Sequence, residues 1–182
     1  MTETDHHNNF AFSAPATELV TVAAEYCKAL EGQDFKKPVH FNDVMRNLLS
    51  MIYLKMSLLP QVPDVQGFNE SRVTEDDYEY IRARVKRYTG AEDDYLDVFV
   101  EDFKYSDRPI LRTISEDMAD VYQALRELVE TFRGGFEEAM MAGLREVQEE
   151  FRLHWGQRAL NALKALHDIR FGETGTPEEH DF

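Results

Sequence analysis

Two groups of side chains in this chain have the residue types and the spacing to do chemistry. The first is a polar line near the C-terminal end: Glu150, His154, Gln157, Asn161 and Asp168. Its steps of three, four and seven residues keep it within one narrow arc of a helix. A histidine with a carboxylate one helical turn away can serve as a general base with its orienter, so Glu150 and His154 are the candidate catalytic pair. The second group is acidic: Glu92, Asp93, Asp94, Asp97, Glu101 and Asp102. Read as a helix, this segment stacks Asp93, Asp97 and Glu101 at four-residue spacing, the way bundles hold divalent metal ions.

Each group also has a plainer reading. A polar line flanked by apolar side chains is a hydrogen-bonded network that fixes helix register, because buried polar groups need partners. On that reading His154 is partly buried, and His154→Ala lowers the melting temperature. Like charges at four-residue spacing destabilise a helix by roughly 0.2–0.5 kcal/mol per pair. The basic cluster Arg82, Arg84, Lys86 and Arg87 on a neighbouring helix is the simplest offset. The bundle metal signature Glu-x-x-His occurs in none of the predicted helices, so the plainer reading is preferred in both cases. No metal and no cofactor is expected.

The elements that position these groups follow from periodicity. The longest apolar series runs Phe136, Met140, Leu144, Val147, Phe151, Trp155, Ala159, Leu163, Leu166 and Ile169. Every step is three or four residues, the signature of one helix face, with Gly156 as a candidate interruption. A minor stripe, Leu153 and Leu160, flanks the polar line and implies packing on both sides. Upstream, a first helix is predicted from Thr17 to Gly32. A second is predicted from an Asn42 cap to Leu59, apolar over more than half its circumference and therefore central. Residues 60–73 (PQVPDVQGFNESRV) form a long connection, of the kind that is functional or mobile. A third helix is capped by Thr74 and closed by Gly90; a fourth spans Glu92 to Phe103 and buries Tyr95, Phe99 and Phe103. A fifth starts from the Thr113/Glu116 capping pair and ends at Gly134-Gly135. No β-alternation competes. The prediction is all-α, one compact bundle of six or seven helices over 15–171, with the second and last helices central. Residues 1–14, including the Asp5-His6-His7 cluster, and 172–182 read as flexible ends.

Charge narrows the function. Twenty basic against thirty-five acidic residues give a formal net charge of −15, which repels phosphate backbones and anionic lipid. Neither nucleic-acid nor membrane binding is expected. The single cysteine, Cys27, rules out an internal disulfide and reads as a small buried hydrophobe. The N-terminus carries no basic leader or apolar h-region, so a reduced cytoplasmic setting is expected. No phosphate loop, dinucleotide fingerprint, nucleophile elbow or His-Glu-x-x-His is present.

The segments HWGQRALNALKALHDIR (154–170), TISEDMADVYQALRELVETF (113–132) and YLKMSLLP (53–60) resemble a family of small bacterial all-helical proteins, the domain-of-unknown-function family numbered 5063. The most specific words are Trp155-Gly156-Gln157 and Asn161-Ala162-Leu163. The resemblance spans most of residues 17–170. It implies an all-helical fold and a bacterial cytosolic setting, and it carries over no activity and no catalytic residue. The expectation is a non-catalytic protein-binding or regulatory module whose partner is another protein. The alternative is an enzyme using Glu150 and His154, with a divalent ion at Asp93, Asp97 and Glu101.

Overall fold

The computed structural model describes residues 10–65, 71–97 and 110–172. Its order is α1 (Ala14–Gly32), α2 (Pro38–Leu58), α3 (Glu75–Thr89), β1 (Asp94–Asp97), β2 (Ile110–Thr113), α4 (Ile114–Gly134), α5 (Glu137–Glu150) and α6 (Gly156–Phe171). A π-helical turn, Phe151–Trp155, joins α5 to α6 without a break. Counted as rods there are therefore five helices among the described residues, not six or seven. The all-α class holds, with one small antiparallel hairpin added.

Caps set most boundaries. Thr74 accepts the Asp77 N–H while the Asp77 carboxylate accepts the Thr74 N–H, a reciprocal box that starts α3. Thr113 accepts the Glu116 N–H at the head of α4, and Gly135, at φ +75°, supplies the left-handed residue that ends it. The start of α2 differs from expectation. Its cap is Lys37, with Pro38 in the first turn, where a missing N–H costs nothing. Asn42 is instead buried: its amide donates to the Leu166 carbonyl at 2.8 Å and its oxygen accepts from Arg46 at 2.8 Å.

The predicted fourth helix is the main correction. Gly90–Glu92 make one 3₁₀ turn, and Asp94–Asp97 then form β1, paired in antiparallel register with Ile110–Thr113. The like-charge stacking that made a helix costly is thereby removed. Glu101, Phe99 and Phe103 lie outside the described residues, as do 1–9 and 173–182.

The central element is α4, which packs against α1, α3, α5 and α6. Its buried face includes Ile114, Met118, Val121, Leu125 and Leu128. The α2 helix is less enclosed than its composition suggests. Met45, Leu49 and Ile52 are fully buried against α1 and α6, yet Leu54 and Leu58 are 54% and 61% exposed. Residues ahead of α1 also join the core, with Ala11 fully buried. No described helix is long and apolar enough to cross a membrane.

Candidate functional site

A groove of about 360 Å³ opens between α4 and α5. One wall is Asp120, Gln123 and Glu127 on α4. The other is Glu146 and Glu150 on α5, continued by His154 on the π turn. Ala124, Leu128, Val147 and Trp155 supply the apolar part of the lining, and Ser71 reaches in from the segment before α3. Among the described residues four carboxylates line it, and no lysine or arginine does.

Local packing holds this groove open at one width. Gly143 faces Thr131 across the α4–α5 hairpin, so closely that an added Cβ would sit 3.1 Å from the Thr131 methyl. The Trp155 indole donates to the Val147 carbonyl at 3.1 Å and stacks edge-on against Phe151, which fixes it beside the groove. Glu127 accepts from the Ser71 hydroxyl and from the Arg72 and Val73 N–H groups, all at 2.8–2.9 Å. That carboxylate pins the end of the 60–73 connection onto α4. Its beginning is pinned to α5, where Gln148 accepts from the Val62 N–H and donates to the Leu59 and Pro60 carbonyls. Arg145 pairs with Asp64.

The polar line is not buried. Glu150, His154, Gln157 and Asp168 are exposed, and only Asn161 is half-buried. Leu153 is 75% exposed, so the second flank that would have covered the line does not pack. The structure divides the line in two. Glu150 and His154 face the α4–α5 groove. Farther along α6, Gln157 donates to Asn161 at 3.0 Å, Asn161 donates to Asp97 at 3.4 Å, and Asp168 pairs with Lys164. The expected fall in melting temperature for His154→Ala loses its basis, because an exposed side chain carries no buried network.

The acidic series is dispersed as well. Asp93 is buried beneath the head of α4, accepting from the Ser115 N–H at 2.9 Å, the Ser115 hydroxyl at 2.6 Å and the Thr89 hydroxyl at 2.8 Å. Asp97 pairs with Arg112 at 2.7 Å. Among the described residues no three His, Cys, Asp or Glu side chains are placed to hold a metal ion.

The most perturbed carboxyl belongs to a residue outside both sequence groups. Asp117, on α4, is 1% exposed. It accepts from the Tyr95 hydroxyl and from Arg158 at 3.2 Å. Burial pushes its carboxyl up to about 7, and the Tyr95 hydrogen bond and the Arg112 charge offset that only in part. Burial also raises Asp120, one turn along, whose oxygens contact Tyr78 at 2.9 Å and Arg158 at 3.4 Å. A sign of Asp117 was available: it stands in the same four-residue register as Val121 and Leu125, a charge on an apolar face. Cys27 is 1% exposed and its thiol is pushed far up by burial, as an inert core residue should be.

The residue types of a hydrolytic triad thus share one groove, but they are not assembled as one. Ser71 spends its proton on Glu127, and no hydrogen bond links His154 to Ser71, Glu150 or Asp120. What the groove offers is four carboxylates over an apolar floor, of which Asp120 and Glu127 are held in place by hydrogen bonds.

A similar structure is that of protein BF1032 from Bacteroides fragilis, which is 34% identical, superposes with a TM-score of 0.80, and matches over 92% of this chain and 99% of that one. No protein of curated function matches the chain. The match to the family described as a domain of unknown function (DUF5063) extends over residues 10–172, and the chain belongs to that family.

Proposed function

We propose that this protein is a non-catalytic, cytoplasmic binding module of a bacterial cell, and that its ligand is a basic segment of a partner protein seated in the α4–α5 groove. One observation carries the reading: Asp120, Glu127, Glu146 and Glu150 line a groove of about 360 Å³ that has an apolar floor and, among the described residues, no lysine or arginine in its lining. Such a surface recognises an amphipathic cationic chain. Apolar side chains of the ligand lie over the half-buried Ala124, since Leu128 and Trp155 are themselves buried, while its lysines and arginines meet the carboxylate walls. The net charge of −15 supports the same class of ligand and disfavours nucleic acid and anionic membrane.

Trp155, the chain's one tryptophan, is only 1% exposed, so occupancy is read by isothermal titration calorimetry instead of by its fluorescence. A peptide alternating Lys or Arg with Leu is expected to bind saturably, with affinity falling as salt rises. The double variant Glu146→Gln, Glu150→Gln is expected to lose about tenfold in affinity. Absence of saturation up to about 1 mM, the weak end of specific binding, or an unchanged affinity in the double variant, sinks the reading.

The enzyme reading keeps one supporting observation, that Ser71, Glu150 and His154 line the same groove. Its test is hydrolysis of a panel of activated esters. Turnover abolished by His154→Ala, in a variant that melts like the parent, would replace the binding reading with it.

A further inference from the structure

We propose that a second cavity, on the opposite flank of α4, binds the oxyanion of a small molecule, a carboxylate or a phosphate. This pocket of about 540 Å³ is enclosed by the end of α1, the first turns of α3, the second half of α4 and the segment that carries Arg72. Arg72, Arg126 and Arg133 all line it. In a chain with thirty-five acids and twenty bases, three guanidiniums in one pocket run against composition.

Their geometry is that of an anion cradle built around Glu130. Its carboxylate oxygen accepts Arg126 at 2.8 Å and Arg133 at 2.8 Å, and its backbone carbonyl accepts Arg72 at 2.9 Å. The second terminal nitrogen of Arg126 meets Glu31 at 3.1 Å. The third acid in the lining, Asp77, is committed to the cap of α3, accepting the Thr74 N–H and hydroxyl at 3.0 and 2.7 Å. Three guanidiniums therefore share two carboxylates. The two phenols are also spent inside the pocket, Tyr122 on the Glu31 carboxylate and Tyr80 on the Glu31 carbonyl.

The surplus lies with Arg72 and Arg133. Each guanidinium has five N–H donors in a planar fork. Among the described residues Arg72 uses its fork on a carbonyl alone, with no carboxylate in contact. Arg133 makes one ion pair among the described residues, with Glu130, and its side chain is 62% exposed. Arg126, held from two sides, is fixed in place and gives an incoming oxyanion an ordered partner at little entropic cost. Guanidinium forks bind carboxylate and phosphate in the same bidentate manner, so the pocket is assigned to an oxyanion, and the choice between the two is left to the titration.

The test is a two-dimensional amide NMR titration of the full chain with inorganic phosphate and, separately, with succinate. Ionic strength is held constant with sodium chloride. Saturable shifts centred on Arg72, Val73, Tyr80 and Glu130 are expected with at least one of the two. The double variant Arg72→Ala, Arg133→Ala removes surface side chains only and is expected to bind at least about tenfold more weakly. Arg152→Ala, an exposed arginine outside the pocket, is expected to bind like the parent. No saturable shift with either anion, or equal binding by the double variant and the parent, overturns the assignment.

Discussion

A carboxyl as enclosed as Asp117 has two costs to choose between. Ionised, it gives up hydration; protonated, it gives up the charge that Arg158 and Arg112 could compensate. Its folded-state carboxyl stands near 7 against an ordinary 3.8. The folded protein thus keeps this proton over a range where the unfolded chain has released it. The stability the proton confers is complete below about 4 and is lost as pH rises through about 7. Asp117→Asn keeps an acceptor for Tyr95 and has no such proton. The stability difference between parent and variant, from urea unfolding at several pH values, is therefore expected to move in the variant's favour between pH 5 and 8. A difference that stays flat with pH would show that Asp117 remains ionised throughout. Residues taken in line point elsewhere, to Glu150 and His154. Spacing along one helix shows which side chains share a face. It does not show whether another element covers that face, and here none does. The partners of Asp117 come from β1 and α6, far apart in sequence, and no local pattern announces them.

At the scale of elements, the amphipathic periods place most helices well, and each departure has a physical cause. From Val147 through Phe151, Trp155 and Ala159 to Leu163 the apolar steps are all of four residues. In an α-helix each such step overshoots a full turn, and four of them drift by roughly 160°. A straight helix would carry Leu163 away from the core. The π turn absorbs one extra residue, about 100° of that drift, and keeps the stripe facing inward. The Gly156 N–H donates to the Phe151 carbonyl, five residues back. A Cβ on Gly156 would overlap that carbonyl oxygen and press on the Phe151 ring. Gly156→Ala improves α-helix propensity, yet it is expected to destabilise the protein by about 1–3 kcal/mol, the usual range for overpacking, as read by thermal or urea melts. A neutral or stabilising result would mean that the turn relaxes to a regular helix without penalty. The β hairpin is hidden from sequence for a different reason. Four residues, Asp94 to Asp97, are too few to establish an alternation, and their acids resemble the helix start at Thr74.

For the whole molecule, packing leaves one large imbalance, that of charge. Fifteen excess negative charges repel one another across the surface, while the ion pairs that join elements, such as Arg170 with Asp43 and Lys55 with Glu18, act over 2.7–3.2 Å. Salt screens the long-range repulsion more than the short contacts. The melting temperature is accordingly expected to rise between about 0.05 M and 0.5 M sodium chloride, over which the Debye length shrinks several-fold. A fall would mean that the local pairs outweigh the global field. Charge also separates the two cavities: four carboxylates line the one, while three guanidiniums and three carboxylates line the other. Between them runs the short segment held by Glu127: Ser71 lines the acidic groove, while Arg72 and Val73 line the arginine pocket. Whatever moves this common wall from one side alters the shape offered on the other. Occupancies coupled through one wall obey reciprocity, so the factor by which a cationic ligand changes anion affinity equals the factor by which the anion changes cation affinity. On the two proposals together, the flanks of α4 would act as a single two-input element, and a titration of one ligand at fixed concentrations of the other would read its coupling energy directly.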